Sequence, residues 1–315
     1  MIWLWIGLGL LLLLLGSYLV FCGACVRGKE RPWTDHEAME KRVGRSYAAL
    51  IRSGVEWIER QNPRDVYLTS ADGLRLHARW IPHAHAQGTM ILFHGWRSSI
   101  VGDFSPSLPE YYARGYNLLL VDQRAHNGSQ GKYITLGIRE SRDVPDWVAL
   151  HNQTFGPYPV ILGGVSMGAT TVLMAAGRKL PDNVRGVIAD CGFTSPWEIM
   201  AAVGRARAHL PAFPLLYLVR VWCRCLGKFD PQAYSTRQAM AECSLPVFFA
   251  HGQADSFVPC WMSQAAYDAA HCPKTLLLVP GAEHGRSFLV DRERYLSMVD
   301  NFLHQCIVKA ESEVN

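Results

Sequence analysis

A serine bounded by glycines is the residue of this sequence best suited to nucleophilic chemistry. The segment Gly164–Gly168, with the sequence GVSMG, follows the apolar run Pro159–Leu162 and precedes a helical stretch that starts at Ala169. A serine hydroxyl is a weak nucleophile, so it must project from a sharp strand-to-helix turn toward a base, and flanking glycines allow that turn. Similar patterns occur in ordinary turns, but the strand-turn-helix context favours Ser166 as a catalytic nucleophile.

The predicted base and its partner are His284 and Asp255, each in a loop after an apolar run. His284 lies in Pro280–Gly285, and Asp255 is the single acidic residue of His251–Asp255. Loops at the carboxyl ends of parallel strands collect the reactive groups of such sheets. The chain order serine, aspartate, histidine is the one used by serine hydrolases with this type of turn. We therefore predict that His284 is the general base and that Asp255 orients its imidazole.

Acyl transfer also needs hydrogen-bond donors for the negative oxygen of the transition state. The segment Phe93–Trp96 follows the first predicted parallel strand, and Met167 follows the serine. The backbone N–H groups of Trp96 and Met167 are the predicted oxyanion hole. His94 is predicted to brace this loop rather than to act as a second base.

The elements that must position these residues alternate between strands and helices. Asp72-Gly73 favours a tight hairpin turn between two strands. Six later apolar runs are typical of buried parallel strands, with helical patterns between most of them. An antiparallel hairpin followed by βα repeats predicts an α/β fold, a mostly parallel sheet of about eight strands with helices on both faces. The predicted hairpin strands are Val66–Leu68 and Leu74–Ala78, and the later runs are Thr89–Phe93, Asn117–Val121, Val160–Gly163, Val187–Ala189, Val247–Ala250 and Thr275–Val279.

Together these motifs resemble the α/β-hydrolase superfamily over roughly Tyr67–Phe302. Within it, the chain resembles the single-domain serine hydrolases related to serine aminopeptidases and prolyl oligopeptidases. The resemblance implies an α/β-hydrolase fold with a helical lid over the nucleophile, in a domain of residues 64–310. The residues that carry it are Phe93–Trp96, Asp122–Arg124, Gly164–Gly168, His251–Asp255 and Glu283–Gly285.

One loop departs from the pattern of these relatives. Their Asp-x-Arg segment usually continues as Gly-His-Gly-x-Ser, whereas residues 125–129 of this chain read AHNGS. The turn is therefore altered, while His126 and Ser129 remain. We predict that Asp122 and Arg124 form a structural ion pair at the strand end.

An apolar segment precedes this domain. Residues Ile2–Cys22 carry no charge and, at about 1.5 Å per residue, are long enough for a bilayer core of about 30 Å. A cleaved signal peptide is the alternative, but no basic residue precedes the segment. We predict a single-pass anchor at residues 1–23 in the cell membrane. The basic residues that follow, Arg27, Lys29 and Arg31, predict a cytoplasmic catalytic domain.

Two further segments lie outside the alternating pattern. Residues 24–63 are predicted to be a linker with a connecting helix, which starts at the capping-box spacing of Thr34–Glu37 and ends at Asn62-Pro63. An insertion at about 194–242 is too long for a simple crossover helix and is predicted to be the lid. Between Ser195 and Met240 it carries six basic and two acidic residues, interleaved with apolar ones. Either a solvated helix face or a membrane-facing lid fits that composition.

Composition narrows the classes of function. With 49% hydrophobic and 18% charged residues, the chain is not intrinsically disordered, and a net charge of +4 is too weak to make nucleic acid the main partner. The nine cysteines lack the spacing of a metal site. We predict neither a metal nor a cofactor.

The leading functional prediction is a serine hydrolase, of the carboxylesterase or lipase-like kind, that cleaves an ester, thioester or amide through an acyl-serine intermediate. Its predicted partners are a small-molecule or lipid-like acyl substrate and, through the N-terminal helix, the membrane. Two alternatives stay open: an aminopeptidase-like amidase, and a catalytically silent protein that keeps the fold for binding.

Overall fold

Eight strands form one sheet at the centre of the computed structural model, which describes residues 1–29, 45–208 and 212–312. The sheet is mostly parallel, as predicted, and its strand order is β1-β2-β4-β3-β5-β6-β7-β8. The strands are β1 (Arg64–Thr69), β2 (Arg75–Ile81), β3 (Gly88–Phe93), β4 (Tyr116–Asp122), β5 (Val160–Val165), β6 (Val184–Asp190), β7 (Val247–Gly252) and β8 (Lys274–Val279).

The pairing of the strands brings their carboxyl ends to one edge. The hairpin of β1 and β2 is antiparallel, β2 is antiparallel to β4, and all other neighbours run parallel. In register, Phe93 pairs with Gly164, and Asp190 pairs with both Val165 and Ala250. The loops that follow β3, β5, β6, β7 and β8 therefore emerge side by side, which is where the sequence placed its reactive residues.

Helices cover both faces of this sheet. Side chains alternate along β3, so Met90 and Leu92 enter one core layer while Ile91 and Phe93 enter the other. The helices are α1 (Ile2–Cys25), α2 (Arg45–Arg60), α3 (Ile100–Phe104), α4 (Leu108–Ala113), α5 (Glu140–Phe155), α6 (Met167–Ala176), α7 (Pro196–Ala208), α8 (Leu215–Cys225), α9 (Thr236–Glu242), α10 (Trp261–Ala269), α11 (Ser287–Val290) and α12 (Arg292–Ser312). All ten residues of α6 are buried, which explains why that helix is apolar on every side.

The N-terminal helix α1 is partly built into the domain. Among the described residues it is the helix that is long and apolar enough to cross a membrane. Its buried residues, Ser17, Phe21 and Cys25, recur every fourth position and so form one stripe along its last nine residues. Phe21 packs in a core cluster with Val219 of α8, and Trp222 Nε1 donates to Ser17 Oγ at 3.0 Å. The end of α1 is therefore fixed to α8.

Among the described residues, the insertion predicted at about 194–242 contains helices α7, α8 and α9. Helix α9 carries Ala239 and Met240 into the main core beside α6 and α10, so it is the crossover helix between β6 and β7. Helices α7 and α8 are the part of the insertion for which the role of a lid stays a prediction. Length alone could not separate a lid from the crossover that follows it, since both are helical.

Two smaller predictions are also resolved by the fold. The connecting helix is α2, and the capping box predicted at Thr34–Glu37 lies outside the described residues. The predicted pairing of Asp122 with Arg124 is wrong. Each has other partners: Arg124 is held by the carboxylates of Asp72 and Asp143 at 2.6–3.1 Å, and Asp122 contacts His77.

The contact between His77 and Asp122 gives the fold a pH-dependent stabilisation. His77 Nδ1 lies 2.7 Å from Asp122 Oδ2, and this hydrogen bond raises the pKa of His77 above its ordinary value. A raised folded-state pKa means that the stabilisation is fully present below the unfolded pKa of about 6.5 and is lost as the pH rises through the folded pKa. We expect the free energy of unfolding of His77→Gln to be about 1 kcal/mol lower than that of the parent near pH 5, because glutamine cannot carry the charge of a protonated histidine. Near pH 9 the two free energies of unfolding should approach each other.

Thermal unfolding of the full chain in detergent across that pH range measures this difference. His304→Gln is the matched control, because His304 is exposed at the surface. A deficit of His77→Gln that stays constant from acid to alkaline pH would contradict the argument.

Candidate active site

Ser166 occupies a strained turn between β5 and α6. Its backbone has φ 57° and ψ −117°, and its N–H donates to the carbonyl of Asp190 at 2.8 Å. The turn requires a close approach of α6 to β3: a Cβ on Gly168 would lie 1.8 Å from the carbonyl oxygen of Phe93. Glycine at this position therefore reflects a backbone contact, and the turn lifts Ser166 clear of the sheet, as the sequence predicted.

The structure brings the three predicted catalytic side chains into one hydrogen-bonded row. Ser166 Oγ lies 2.9 Å from His284 Nε2, and His284 Nδ1 lies 2.6 Å from Asp255 Oδ2. Such distances suit donation from the hydroxyl to Nε2 and from Nδ1 to the carboxylate. The three residues come from the loops after β5, β8 and β7, so the meeting of strand ends assembles them.

The side chain of Asp255 is fully buried and held by several hydrogen bonds. Its Oδ1 accepts from the backbone N–H groups of Phe257 and Val258, both at 2.8 Å. Burial would raise the pKa of Asp255, but hydrogen bonds with His251 and His284 outweigh it and hold that pKa below the usual range. The carboxylate is therefore ionised at neutral pH. Sequence reasoning gave His251 no role; its four-residue spacing from Asp255 was the available signal.

A second residue that sequence reasoning left without a role is His126. It is buried, its Nδ1 donates to the carbonyl of Arg124 at 2.9 Å, and its Nε2 accepts from the N–H of Arg97 at 3.0 Å. Burial lowers the pKa of His126 to about 3, so the ring is neutral and can accept at Nε2. His126, from the loop that departs from the family pattern, thus fixes the residue that follows Trp96.

His94 braces the same loop from the other side, as predicted. Its Nδ1 donates to the carbonyl of Gly95 at 2.8 Å, and its Nε2 accepts from the N–H of Gln123 at 3.1 Å. Gly95 in turn donates to Asp103 at 2.6 Å and backs onto Ser166, where a Cβ would lie 3.2 Å from the serine Cβ. The loop that carries Trp96 is therefore rigid and adjacent to the serine. Met167, the other predicted oxyanion donor, is the first residue of α6.

Two cavities of different character meet at Ser166. One, of about 330 Å³, is lined by apolar side chains of α1, α7 and α8 and by Trp96 and Phe257. The other, of about 270 Å³, includes His284 together with the charged side chains of Arg97, Asp103 and Arg286. An apolar and a polar compartment on either side of a nucleophile suit the two halves of an acyl ester.

One cluster of metal-type ligands occurs among the described residues, and it coincides with this site. Ligand atoms of Cys191, Asp255 and His284 lie within 4.8 Å of one another. Asp255 and His284 are already bonded to each other, and burial raises the pKa of the Cys191 thiol well above its ordinary value. A protonated thiol is a poor metal ligand, so the cluster is better suited to proton transfer than to metal binding.

A fold of this topology, with a serine turn at the centre of the sheet, defines a hydrolase. The pattern of the Alpha/beta hydrolase family matches residues 90–306, more than half of the chain. The chain belongs to the alpha/beta hydrolase family. The resemblance drawn from the motifs is thereby confirmed.

The sequences of relatives, some with a described activity and some without, align with most of this chain. The Bacillus subtilis protein YqkD, itself uncharacterized, is 28% identical over 249 residues, which cover 79% of this chain and 81% of YqkD. Caffeoylshikimate esterase of Arabidopsis thaliana is 24% identical over 260 residues, which cover 69% of this chain and 77% of the esterase.

Solved structures of the same fold include esterases and a peptidase. The Pyrococcus furiosus esterase Pf2001 superposes with a TM-score of 0.64 at 24% identity, over 77% of this chain and 91% of the esterase. The Pyrococcus horikoshii acylaminoacyl peptidase gives a TM-score of 0.59 at 15% identity, over 78% of this chain and 41% of the peptidase. At these identities the likeness establishes the fold alone.

The close approach of α6 to β3 predicts that Gly168→Ala is strongly destabilising. The added Cβ would meet backbone that cannot rotate away, so we expect a loss of more than about 3 kcal/mol in the free energy of unfolding. Gly204→Ala in α7 is the matched control, because its Cβ would meet nothing within 4 Å. A helical alanine there should stabilise by about 0.5–1 kcal/mol. Thermal unfolding compares the two, and equal midpoints would show that the turn has room for a Cβ.

Proposed function

We propose that the protein is a membrane-anchored serine esterase that cleaves the ester of an apolar acyl chain. The observation that carries the proposal is the hydrogen-bonded row of Ser166, His284 and Asp255, in which Ser166 also lines an apolar cavity. Its family and its esterase relative support hydrolysis as the reaction.

The reaction proceeds through an acyl-serine intermediate. Ser166 Oγ attacks the acyl carbon while His284 takes its proton, and the negative oxygen is bound by the N–H groups of Trp96 and Met167. The acyl C–O bond then breaks, and His284 gives the proton to the departing alcohol. Water, deprotonated by His284, then attacks the acyl-serine. The bond from the acyl carbon to Ser166 Oγ breaks, His284 returns the proton to Oγ, and a carboxylic acid is released. Asp255 keeps the imidazole oriented and stabilises its charged form.

The site suits an ester substrate better than an aminopeptidase substrate, which carries a free amine. Binding an amine requires a carboxylate that is free to face it. Among the described residues around Ser166, Asp103 already accepts from Gly95 and Ser98, and Asp190 is buried and bonded to Ser287. Asp255 is engaged with His284. The cavity that would hold the acyl chain is apolar, as an aliphatic chain requires.

We also propose that α1 is retained as an anchor rather than cleaved as a signal peptide. Cleavage at the end of α1 would remove Phe21 and Cys25 from a core cluster that includes the lid residue Val219. It would also remove the carbonyl of Ala24, which accepts from Trp96 Nε1 at 2.8 Å, and that of Cys22, which accepts from Arg97 at 3.2 Å. These bonds join the anchor to the loop of the predicted oxyanion hole.

The triad assignment predicts non-additive losses of activity. Ser166→Ala, His284→Ala and the double variant should all fall to a similar residual rate, because residues that act as one unit cannot be lost twice. Asp255→Asn should lose up to about 10⁴-fold in kcat, since the imidazole then lacks its orienting anion. Hydrolysis of a series of p-nitrophenyl acyl esters by the full chain in detergent measures these rates.

A fluorophosphonate probe separates this enzyme from a silent scaffold. The parent and Ser244→Ala, which changes an exposed serine far from the site, should be labelled, and Ser166→Ala should not. Labelling that persists in Ser166→Ala, or losses that multiply in the double variant, would remove Ser166 from the mechanism. Faster turnover of peptide amides than of esters would favour the amidase.

The proposed orientation places the catalytic domain in the cytoplasm, since Arg27 and Lys29 follow α1. Cys225 is exposed on α8 and reports on it. A membrane-impermeant maleimide should label inside-out vesicles more strongly in the parent than in Cys225→Ser, and intact cells should show no such difference. Labelling of Cys225 in intact cells would place the domain outside.

A further inference from the structure

The apolar cavity beside Ser166 has the anchor helix as one of its walls. Val20, Gly23 and Ala24 of α1 line it, opposite residues of α7 and α8. Val20 is 39% exposed and Gly23 is exposed as well, so the cavity reaches the outside of the molecule along α1. Its mouth therefore opens beside the segment that we propose to cross the membrane.

The length of α1 fixes the depth of that mouth. Its 24 residues measure about 36 Å, whereas the hydrocarbon core of a bilayer is about 30 Å thick. With Ile2 at the far boundary, the near boundary falls at about Phe21. Val20 then lies within the hydrocarbon, and Gly23 and Ala24 lie within about 5 Å of its boundary. The mouth is thus at the level where acyl chains meet headgroups.

Helix α8 presents a second apolar face at the same level. Phe213, just before the helix, and Tyr217 and Val221 within it follow one another at four-residue spacing and are 72%, 49% and 50% exposed. We call these three residues the α8 stripe. Because Trp222 binds Ser17, which precedes Phe21 by about 6 Å along α1, α8 lies at the hydrocarbon boundary. An aromatic stripe at that depth is typical of a helix that rests in the membrane interface.

Charged residues border this apolar region. Arg224 follows the α8 stripe, is 65% exposed at its side chain and has its Nε 3.9 Å from Asp230 Oδ2, and Arg205 is exposed near the end of α7. Arg220 lies in a bidentate pair with the same Asp230 at 2.7–2.8 Å. Three arginines against one aspartate leave the rim net basic, which suits the phosphates of lipid headgroups. The apolar stripe and the basic rim together fit a bilayer surface.

We infer that α1 is part of the substrate site and that the substrate is a membrane lipid. Its acyl chain passes from the bilayer between α1 and α8 into the apolar cavity, while its headgroup stays at the polar side of Ser166. Position 23 then limits the length of chain that the cavity accepts. This inference rests on the proposed serine-esterase function, and the experiments below separate a failure of one from a failure of the other.

The first experiment fills the wall that α1 provides. Gly23→Phe in the full chain should lower kcat/KM for a hexadecanoyl ester at least about tenfold and change that for a butanoyl ester less than about twofold. Gly9→Phe is the matched control on the same helix; neither glycine has an atom within 4 Å of its added Cβ. The control should leave both substrates unchanged. Equal rates of Gly23→Phe and parent on the long ester would overturn the role of α1.

The second experiment tests the membrane route. Replacing Phe213, Tyr217 and Val221 by serine should slow hydrolysis of a long-chain ester held in phosphatidylcholine–phosphatidylglycerol vesicles at least about tenfold. The same ester dispersed in detergent should be cleaved within about twofold of the parent rate. Tyr67→Ser, on β1, is the control, since the exposed fraction of Tyr67, 44%, is similar to that of Tyr217. Equal slowing in vesicles and in detergent would overturn the route.

Both experiments include fluorophosphonate labelling, which requires an activated serine but no long acyl chain. Labelled variants with the expected rate pattern support the inference. If the parent is labelled and cleaves the butanoyl ester, but the rates do not depend on Gly23 or the α8 stripe, the proposed function stands and the inference fails. If the parent is neither labelled nor active, both fail.

Discussion

The contact of α6 with the end of β3 is the constraint on which the rest of the site depends. The backbone at Gly168 lies so close to the carbonyl of Phe93 that no side chain fits between them. This approach forces the sharp turn at Ser166, with its positive φ of 57°. The backbone keeps this strained conformation because the packing of the surrounding sheet and the buried helix α6 leaves it no other one. It places the hydroxyl 2.9 Å from His284 Nε2.

Neutral, buried histidines make the surrounding loops rigid. His94 and His126 each donate from one ring nitrogen to a carbonyl and accept from a backbone N–H at the other. Their rings contact each other edge to face at 4.8 Å between centroids. A charged imidazole could not accept, so the lowered pKa of His126 is part of its structural role. The donors predicted to bind the oxyanion are thereby held in place before substrate arrives.

Hydrogen bonds join the end of helix α1 to the loop that carries Trp96. Trp96, whose N–H is assigned to the oxyanion hole, donates from its side chain to the last turn of α1, and Arg97 donates to two carbonyls at the same helix end. A cation at the end of a helix is also favoured by the helix dipole. A movement of α1 against the domain would therefore reach both the loop that carries Trp96 and the apolar cavity beside Ser166.

Local sequence determined the elements and indicated the candidate reactive residues. The apolar runs, the glycines around Ser166 and the loops holding His284 and Asp255 follow from short-range periodicity and turn chemistry, and the eight-stranded sheet confirms the elements. Tertiary structure decided the partners. Arg124 pairs with Asp72, 52 residues away, and Ser17 meets Trp222 across 205 residues. Such contacts depend on how helices and strands stack, which periodicity does not encode. Only this stacking places the predicted anchor helix α1 in the wall of the cavity beside Ser166.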